Sequence, residues 1–272
     1  MKLFHRETGA GAPVVFLHGN PTSSHLWRNV MPLVPGRRLA PDLIGMGDSP
    51  RPRIDYTFSD HARYLAEWFD ELSLEDVVLV GHDWGGALAA DWASRHPSRV
   101  RGLAFTEAVL KPMTWEEFPP PGAEVFRALK TPGAADPMID MFLKSLPPEY
   151  EGMYPTRESR IPLLRWACSM PLGGEPASVV SRIETFDGWL ATSSGVPKLL
   201  ITFEPGFDTM LTPPMVEWMS KTFASLEAAH HPVTAGHHTP EEQPELIAES
   251  LVTWLAGDAR LRSRSNRYLN ST

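Results

Sequence analysis

Asp83 stands at the apex of Val77-Val78-Leu79-Val80-Gly81-His82-Asp83-Trp84-Gly85-Gly86, an apolar strand running into a turn flanked by glycines and then a helical segment. A tight strand-to-helix turn needs small residues on both sides, because its backbone is strained and the first helical turn packs close to the strand. Its apex side chain then projects from the carboxyl end of the strand. A carboxylate placed there needs no base to act as a nucleophile, and its ester with an alkyl group is a covalent intermediate that water can cleave. The same aspartate could instead cap the helix; the whole strand, elbow and helix context favours the nucleophile.

Upstream, the run Val14 to Leu17 leads into His18-Gly19-Asn20-Pro21-Thr22-Ser23. The backbone N–H groups of Asn20 and Trp84 are placed to form an oxyanion hole beside the apex. Their side chains add two neutral N–H donors, an amide and an indole, able to converge on one anion. Taken singly, Asn20 also suits a loop turn, and Trp84 is one of nine tryptophans available for packing. Near the C-terminus, Ala235-Gly236-His237-His238-Thr239-Pro240 follows a strand-like run and precedes the last helical one, the place for a base in the chain order nucleophile, acid, histidine. Two carboxylates could orient that histidine. Glu107 ends the run Val100 to Thr106, and Asp208 lies just past Lys198 to Phe203. His230 and His231, with the 237 and 238 pair, bring metal binding to mind, but neighbouring histidines on an extended chain face opposite ways and no HExxH helix is present. No metal and no cofactor is expected.

Such residues need a scaffold that gathers strand ends along one edge. Short apolar runs at Val14–Leu17, Arg38–Ala40, Val77–Val80 and Val100–Phe105 predict buried parallel strands, and Asp60–Leu72 and Ala87–His96 predict helices between them, with Asp60 as N-cap of the first and Pro97 stopping the second. Strands are expected again at Lys198–Phe203 and, more weakly, Leu226–Val233, with helices at Pro213–Phe223 and Pro240–Leu255. Between 111 and 176 proline recurs twelve times, breaking that stretch into short helical pieces without a convincing strand. The reading is α/β: a mostly parallel sheet flanked by helices, its core formed by residues 1–110 and 190–272 and interrupted by a helical cap over 111–189.

Composition narrows the function classes. Lys plus Arg number 25 against 33 Asp plus Glu, a net charge of −8, which lacks the electrostatic footprint of a nucleic-acid binder. Cys168 is the only cysteine, so no intramolecular disulfide and no Cys-rich zinc site can form. No apolar run reaches the roughly 18 residues of a membrane span, and no N-terminal stretch resembles a signal peptide, so a soluble cytoplasmic protein with no membrane partner is expected. The tail from Asp258, with Arg260, Arg262, Arg264 and Arg267, reads as a solvated extension.

With these residues in place, the chain resembles the haloalkane dehalogenases of the α/β-hydrolase superfamily, in the branch whose triad acid is Glu. The similarity rests on HGNPTSSHLW (18–27), PDLIGMGDS (41–49), GHDWGGALAADWA (81–93), TEAVLKPMTWEEFP (106–119) and GGEPASVV (173–180), in order and spacing. The resemblance implies Asp83 as nucleophile, His237 as base, seven residues before Pro244 as in that family, and Glu107 as its acid, with Asp208 the alternative. It also implies Asn20 and Trp84 as halide donors, and a reaction in which a small apolar halogenated substrate and water give alcohol and halide. Cap residues Phe118, Phe126, Phe142 and Leu143 are candidates for the apolar wall. Epoxide hydrolases share GHDWGG but carry an aromatic residue where Asn20 stands, and use cap tyrosines as proton donors; Tyr150 and Tyr154 are the tyrosines available here. A luciferase-like monooxygenase is a further alternative on this scaffold. Two departures stand out: the chain begins almost at what resembles the family's second strand, and the cap is short near Pro147.

Overall fold

The computed structural model describes residues 2–129, 135–144 and 146–261. Seven strands form one sheet: β1 (His5–Thr8), β2 (Pro13–Leu17), β3 (Arg37–Pro41), β4 (Val77–Asp83), β5 (Val100–Ala108), β6 (Lys198–Pro205) and β7 (Leu226–Ala235), in the spatial order β1-β3-β2-β4-β5-β6-β7. All neighbours are parallel except β1, which runs antiparallel to β3 with His5 opposite Pro41. The central strands are buried on both faces, which is why they read as unbroken apolar runs. Along β4, Val77 and Leu79 join one hydrophobic cluster while Val78 and Val80 join the other, as the two-residue period of a strand requires.

Ten α-helices and five short 3-10 helices complete the described residues. α1 (Phe58–Glu71) and α2 (Trp84–Arg95) are crossovers between parallel strands. Between β5 and β6 lie α3 (Pro120–Leu129), α4 (Ala135–Lys144), α5 (Pro148–Met153), α6 (Ile161–Cys168) and α7 (Ala177–Thr192), and after β6 come α8 (Pro213–Thr222), α9 (Thr239–Glu242) and α10 (Pro244–Gly257). The elbow helix α2 is fastened to α7 by an ion pair. Asp91, 4% exposed in its side chain, accepts from Arg182 on α7, with Nη2 at 3.0 Å, and from Arg95 at 2.5 Å. Two arginines thus share one buried carboxylate, so that loss of either leaves Asp91 with a partner. No helix among the described residues is long and apolar enough to cross a membrane.

Three expectations are corrected. The N-cap of α1 is Thr57, not Asp60: the Thr57 hydroxyl accepts from Asp60 N (3.1 Å) while Asp60 Oδ2 accepts from Thr57 N (3.0 Å), a capping box that puts Asp60 three residues inside. The closing helix is two helices, because Gln243, directly before Pro244, takes φ −137° and ψ 51° outside the helical region that a following proline disfavours. An edge strand precedes the first expected one. β1 has the polar sequence HRET and its last three residues are exposed, so it carried no apolar pattern. α2 ends at Arg95 ahead of Pro97, as expected. Arg262, Arg264 and Arg267 lie outside the described residues, whereas Arg260 pairs with Asp258 at 2.6 Å.

Candidate active site

The elbow is strained in the way its sequence implies. Asp83 ends β4 with φ 52° and ψ −127°, a conformation rare for any residue but glycine, and the first helical residue is Trp84. Two close approaches explain the small residues around it. A Cβ on Gly19 would strike the Asp83 carboxylate itself, and one on Gly86 would strike the Ala108 methyl at the end of β5. The carboxylate thus lies against the 18–20 backbone at the N-terminus of a three-turn helix, whose dipole favours negative charge there. Asn20 N donates to Asp83 Oδ1 at 2.8 Å.

The residues around Asn20 are held by the second motif. Asp42 accepts from Ser24 N (2.6 Å) and Asp48 N (2.8 Å), tying the 20–24 loop to the 42–49 loop. His18 accepts from Leu43 N through Nε2 (2.9 Å) and therefore donates through Nδ1 to Gly19 O (2.9 Å); burial keeps its pKa below the usual value, despite the nearby Asp42 carboxylate. Asn20 Oδ1 is buried without a hydrogen-bond partner, which leaves the orientation of this amide to an incoming group. Trp84 is 2% exposed, stacked on Trp166 of α6 (centroids 4.6 Å apart, planes 28°) and edge-on to Phe58 (6.1 Å).

His237 sits between two carboxylates. Its Nδ1 donates to Glu107 Oε2 at 3.2 Å, and its Nε2 lies 3.5 Å from Asp83 Oδ2. Glu107, at φ 45° one strand over from the elbow, is held by further donors that the sequence did not announce: Thr209 Oγ1 (2.6 Å) and Leu211 N (3.3 Å) on Oε1, and Met210 N (2.6 Å) on Oε2. Asp208 also reaches this histidine, but at the main chain, where its Oδ1 accepts from His237 N at 3.0 Å. Burial opposes charging of His237, yet its hydrogen bonds, first to Asp83 and then to Glu107, together with the charges of those carboxylates, raise its pKa to about 10. With both carboxylates ionised the ring is an imidazolium.

The remaining candidates lie elsewhere. His238 packs edge-on to His237 (5.0 Å, 75°) with Nε2 buried and unpartnered, and burial drives its pKa well below the usual value. His230 bonds to Thr202 (3.2 Å) and Glu204 (3.3 Å), and His231 to Ser250 (2.7 Å). Tyr150 and Tyr154 are fully buried and committed: Tyr150 donates to Glu241 Oε1 (2.6 Å), and Tyr154 donates to Thr22 O (3.2 Å) while Gly47 N approaches its oxygen at 3.4 Å. Phe118 and Leu143 are buried in the large cluster that also contains Trp84, with Phe126 and Phe142 packed against it.

Residues 12–131 match the family model for the alpha/beta hydrolase fold. The chain is 42% identical over 268 residues to a haloalkane dehalogenase of Agrobacterium fabrum C58, covering 92% of this chain and 86% of that one. It is 40% identical over 291 residues to the haloalkane dehalogenase of Bradyrhizobium diazoefficiens, covering 95% and 92%. Among solved structures, the haloalkane dehalogenase of Agrobacterium tumefaciens C58 superposes with a TM-score of 0.85 at 42% identity, over 93% of this chain and 91% of that one. That of Bradyrhizobium elkani USDA94 gives 0.87 at 39%, over 93% of each chain. Likeness of this extent in sequence and fold, around an elbow that carries aspartate, places the chain in the haloalkane dehalogenase family.

Proposed function

We propose that the protein hydrolyses haloalkanes, R–X + H2O giving R–OH + H⁺ + X⁻, through an ester on Asp83. The observation that carries this reading is His237 held between Asp83 and Glu107, with Asn20 N on the far oxygen of Asp83. Asp83 Oδ2 attacks the sp3 carbon in line with the leaving halide, forming the C–O bond as the C–X bond breaks. Asn20 and Trp84 stabilise the departing anion with neutral N–H donors in a water-poor site, where such donors are most effective.

Alkylation removes the charge of Asp83, and with it the strongest influence holding the proton on His237. The imidazolium then releases that proton to solvent, as the H⁺ of the overall equation, and the neutral ring takes a proton from a water whose oxygen adds to the ester carbonyl. The tetrahedral intermediate collapses by breaking its C–OR bond, and the alkoxide leaves as R–OH with the proton of the new carboxyl group, which restores the Asp83 carboxylate. Charge developing on Oδ1 is met by Asn20 N, and Glu107 steadies the imidazolium formed in this step. No resident cofactor is called for. The helices between β5 and β6 act as the cap, and the apolar side chains that they add to the cluster around Trp84 suit a small hydrophobic substrate. The net charge of −8 argues against nucleic acid.

Epoxide hydrolysis needs a proton donor for the opening ring, and both cap tyrosine hydroxyls already donate to Glu241 and Thr22. Halide release from brominated and chlorinated alkanes, screened beside an epoxide panel and an imidazopyrazinone light assay, tests the proposal. Steady bromide release with no diol and no light is expected; diol formation alone would overturn it.

A further inference from the structure

The main chain of His237 is gripped on both sides by groups that the reaction as written does not use. Its N–H donates to Asp208 Oδ1 (3.0 Å), its C=O accepts from His82 Nε2 (2.8 Å), and one residue upstream Gly236 N–H donates to Glu242 Oε2 (2.8 Å). A Cβ on Gly236 would run into the Asp208 carboxylate, so this loop backbone lies flush against it. His82 directly precedes the nucleophile on β4, fully buried, its ring 4.8 Å from that of His237. A carbonyl can only accept, so His82 carries its proton on Nε2, and its Nδ1 is left buried without a partner. Burial pushes its pKa down to about 3, so it stays neutral.

A buried unpartnered nitrogen is unfavourable, and the position needs a reason to hold histidine rather than an apolar residue. That reason is the bond to the His237 carbonyl. The strand that presents the nucleophile also fixes the carbonyl of the base, while the loop after β6 fixes its N–H and, through Thr209, Met210 and Leu211, the carboxylate of Glu107. Resting on the dehalogenase reading above, we propose that Asp208 and His82 are positioning residues that clamp the His237 peptide, so that Nε2 faces the Asp83 ester during its hydrolysis. Alkylation of Asp83 needs no base, so the clamp serves only the second half-reaction. At position 208 the requirement is an acceptor oxygen, not a charge.

Single-turnover reactions with 1-bromohexane, followed by bromide release and intact-protein mass, separate the two halves. Asp208→Ala and His82→Leu should keep the bromide burst within about threefold of the parent while the alkyl-enzyme decays roughly 10²-fold more slowly, the scale for displacing a catalytic group by about 1 Å. Asp208→Asn keeps the acceptor and His82→Gln keeps an N–H donor, so both should return decay to within about threefold. Parallel loss of both half-reactions, an unchanged decay in Asp208→Ala, or an Asp208→Asn variant as slow as the alanine one overturns the assignment. Asp208 is exposed, so its pair decides even if His82→Leu does not fold. Without any substrate, the low-field proton resonance of His237 Nδ1–H on Glu107 should shift in Asp208→Ala and return in Asp208→Asn. The same resonance in all three proteins overturns the clamp, whereas a parent that releases no halide overturns the functional reading alone.

Discussion

On the sheet side of the site, polar groups are held several times over: Glu107 accepts four hydrogen bonds, and His237 is bonded at its ring and at both atoms of its main chain. On the cap side, Trp166 lies against Trp84 with its N–H buried and unpartnered, and Phe118, Ile139 and Leu143 offer hydrocarbon. Strand ends joined to a rigid sheet can fix donors and acceptors to tenths of an ångström, which bond-making chemistry needs. Packed apolar helices shape a volume and exclude water. Substitutions on the sheet side should therefore decide whether the reaction runs, and those on the cap side should change stability and substrate fit.

The hardest test of this contrast is at the nucleophile and base. Asp83→Ala should abolish halide release, since no other carboxylate in the set reaches the apex. His237→Phe should still be alkylated, because only hydrolysis needs the base. Its intact mass after 1-bromohexane should rise by one hexyl group, and an unchanged mass in a folded variant would remove the ester step.

Next in size is Glu107→Gln, with turnover expected to fall by roughly 10⁴, the scale for losing the charge that supports a catalytic imidazolium. With the new NH2 at the Oε1 position the Thr209 hydroxyl can turn from donor to acceptor, and the long hydrogen bond from Leu211 N (3.3 Å) is the one lost. Stability carries a second signature. The folded pKa of His237 is raised from the ordinary histidine value of 6.5 to about 10, so its contribution is full below about pH 6.5 and fades as pH rises through about 10. With one carboxylate neutralised the folded pKa drops, and the fall in melting temperature between those limits should become shallower than in the parent. An unchanged slope would detach Glu107 from the ring.

Trp84→Phe deletes the indole N–H and keeps most of the ring. Dehalogenation should slow roughly 10²-fold, as for other single donors aimed at developing charge, and the tryptophan fluorescence change on adding bromide should disappear. A near-parent rate would reduce Trp84 to a packing residue against Trp166.

Legibility in the sequence followed the same division. Asp83, Asn20 and Trp84 sit in contiguous motifs on elements with strong apolar patterns, and β2, β4, β5 and β6 were readable because strands buried on both faces carry unbroken apolar runs. Residue types and spacing alone did not separate Glu107 from Asp208, because one ends β5 and the other follows β6 at the same edge of the sheet, and only the resemblance favoured Glu107. Side-chain reach separates them: one takes the ring of His237 and the other its peptide N–H. The amides of Met210 and Leu211 leave no trace in residue type. His82 did leave one, a polar residue inside a strand whose other members before the apex are apolar or glycine. β1 escaped because an exposed edge strand needs no apolar period.

The smallest effect is expected in the cap, at Tyr150. Its hydroxyl donates to Glu241 Oε1 (2.6 Å), the same oxygen that accepts from Arg28 Nη1 (2.6 Å), so helix α5 is latched to the helix that follows His237. Tyr150→Phe removes one hydrogen bond to a carboxylate that Arg28 still neutralises. The loss should be about 1–2 kcal/mol, the range for hydrogen bonds to charged groups, and a few degrees in melting temperature for a chain of this size. Turnover of 1-bromohexane should stay within about threefold of the parent, because the hydroxyl faces Glu241 and the reacting carbon is attended by sheet-side groups. An epoxide-opening enzyme that used this tyrosine as its acid would lose nearly all activity with the same change. A collapse of halide release in Tyr150→Phe, at unchanged alkyl-enzyme decay, would mean that a cap hydroxyl takes part in bond making and that the two sides of the site are not divided as drawn here.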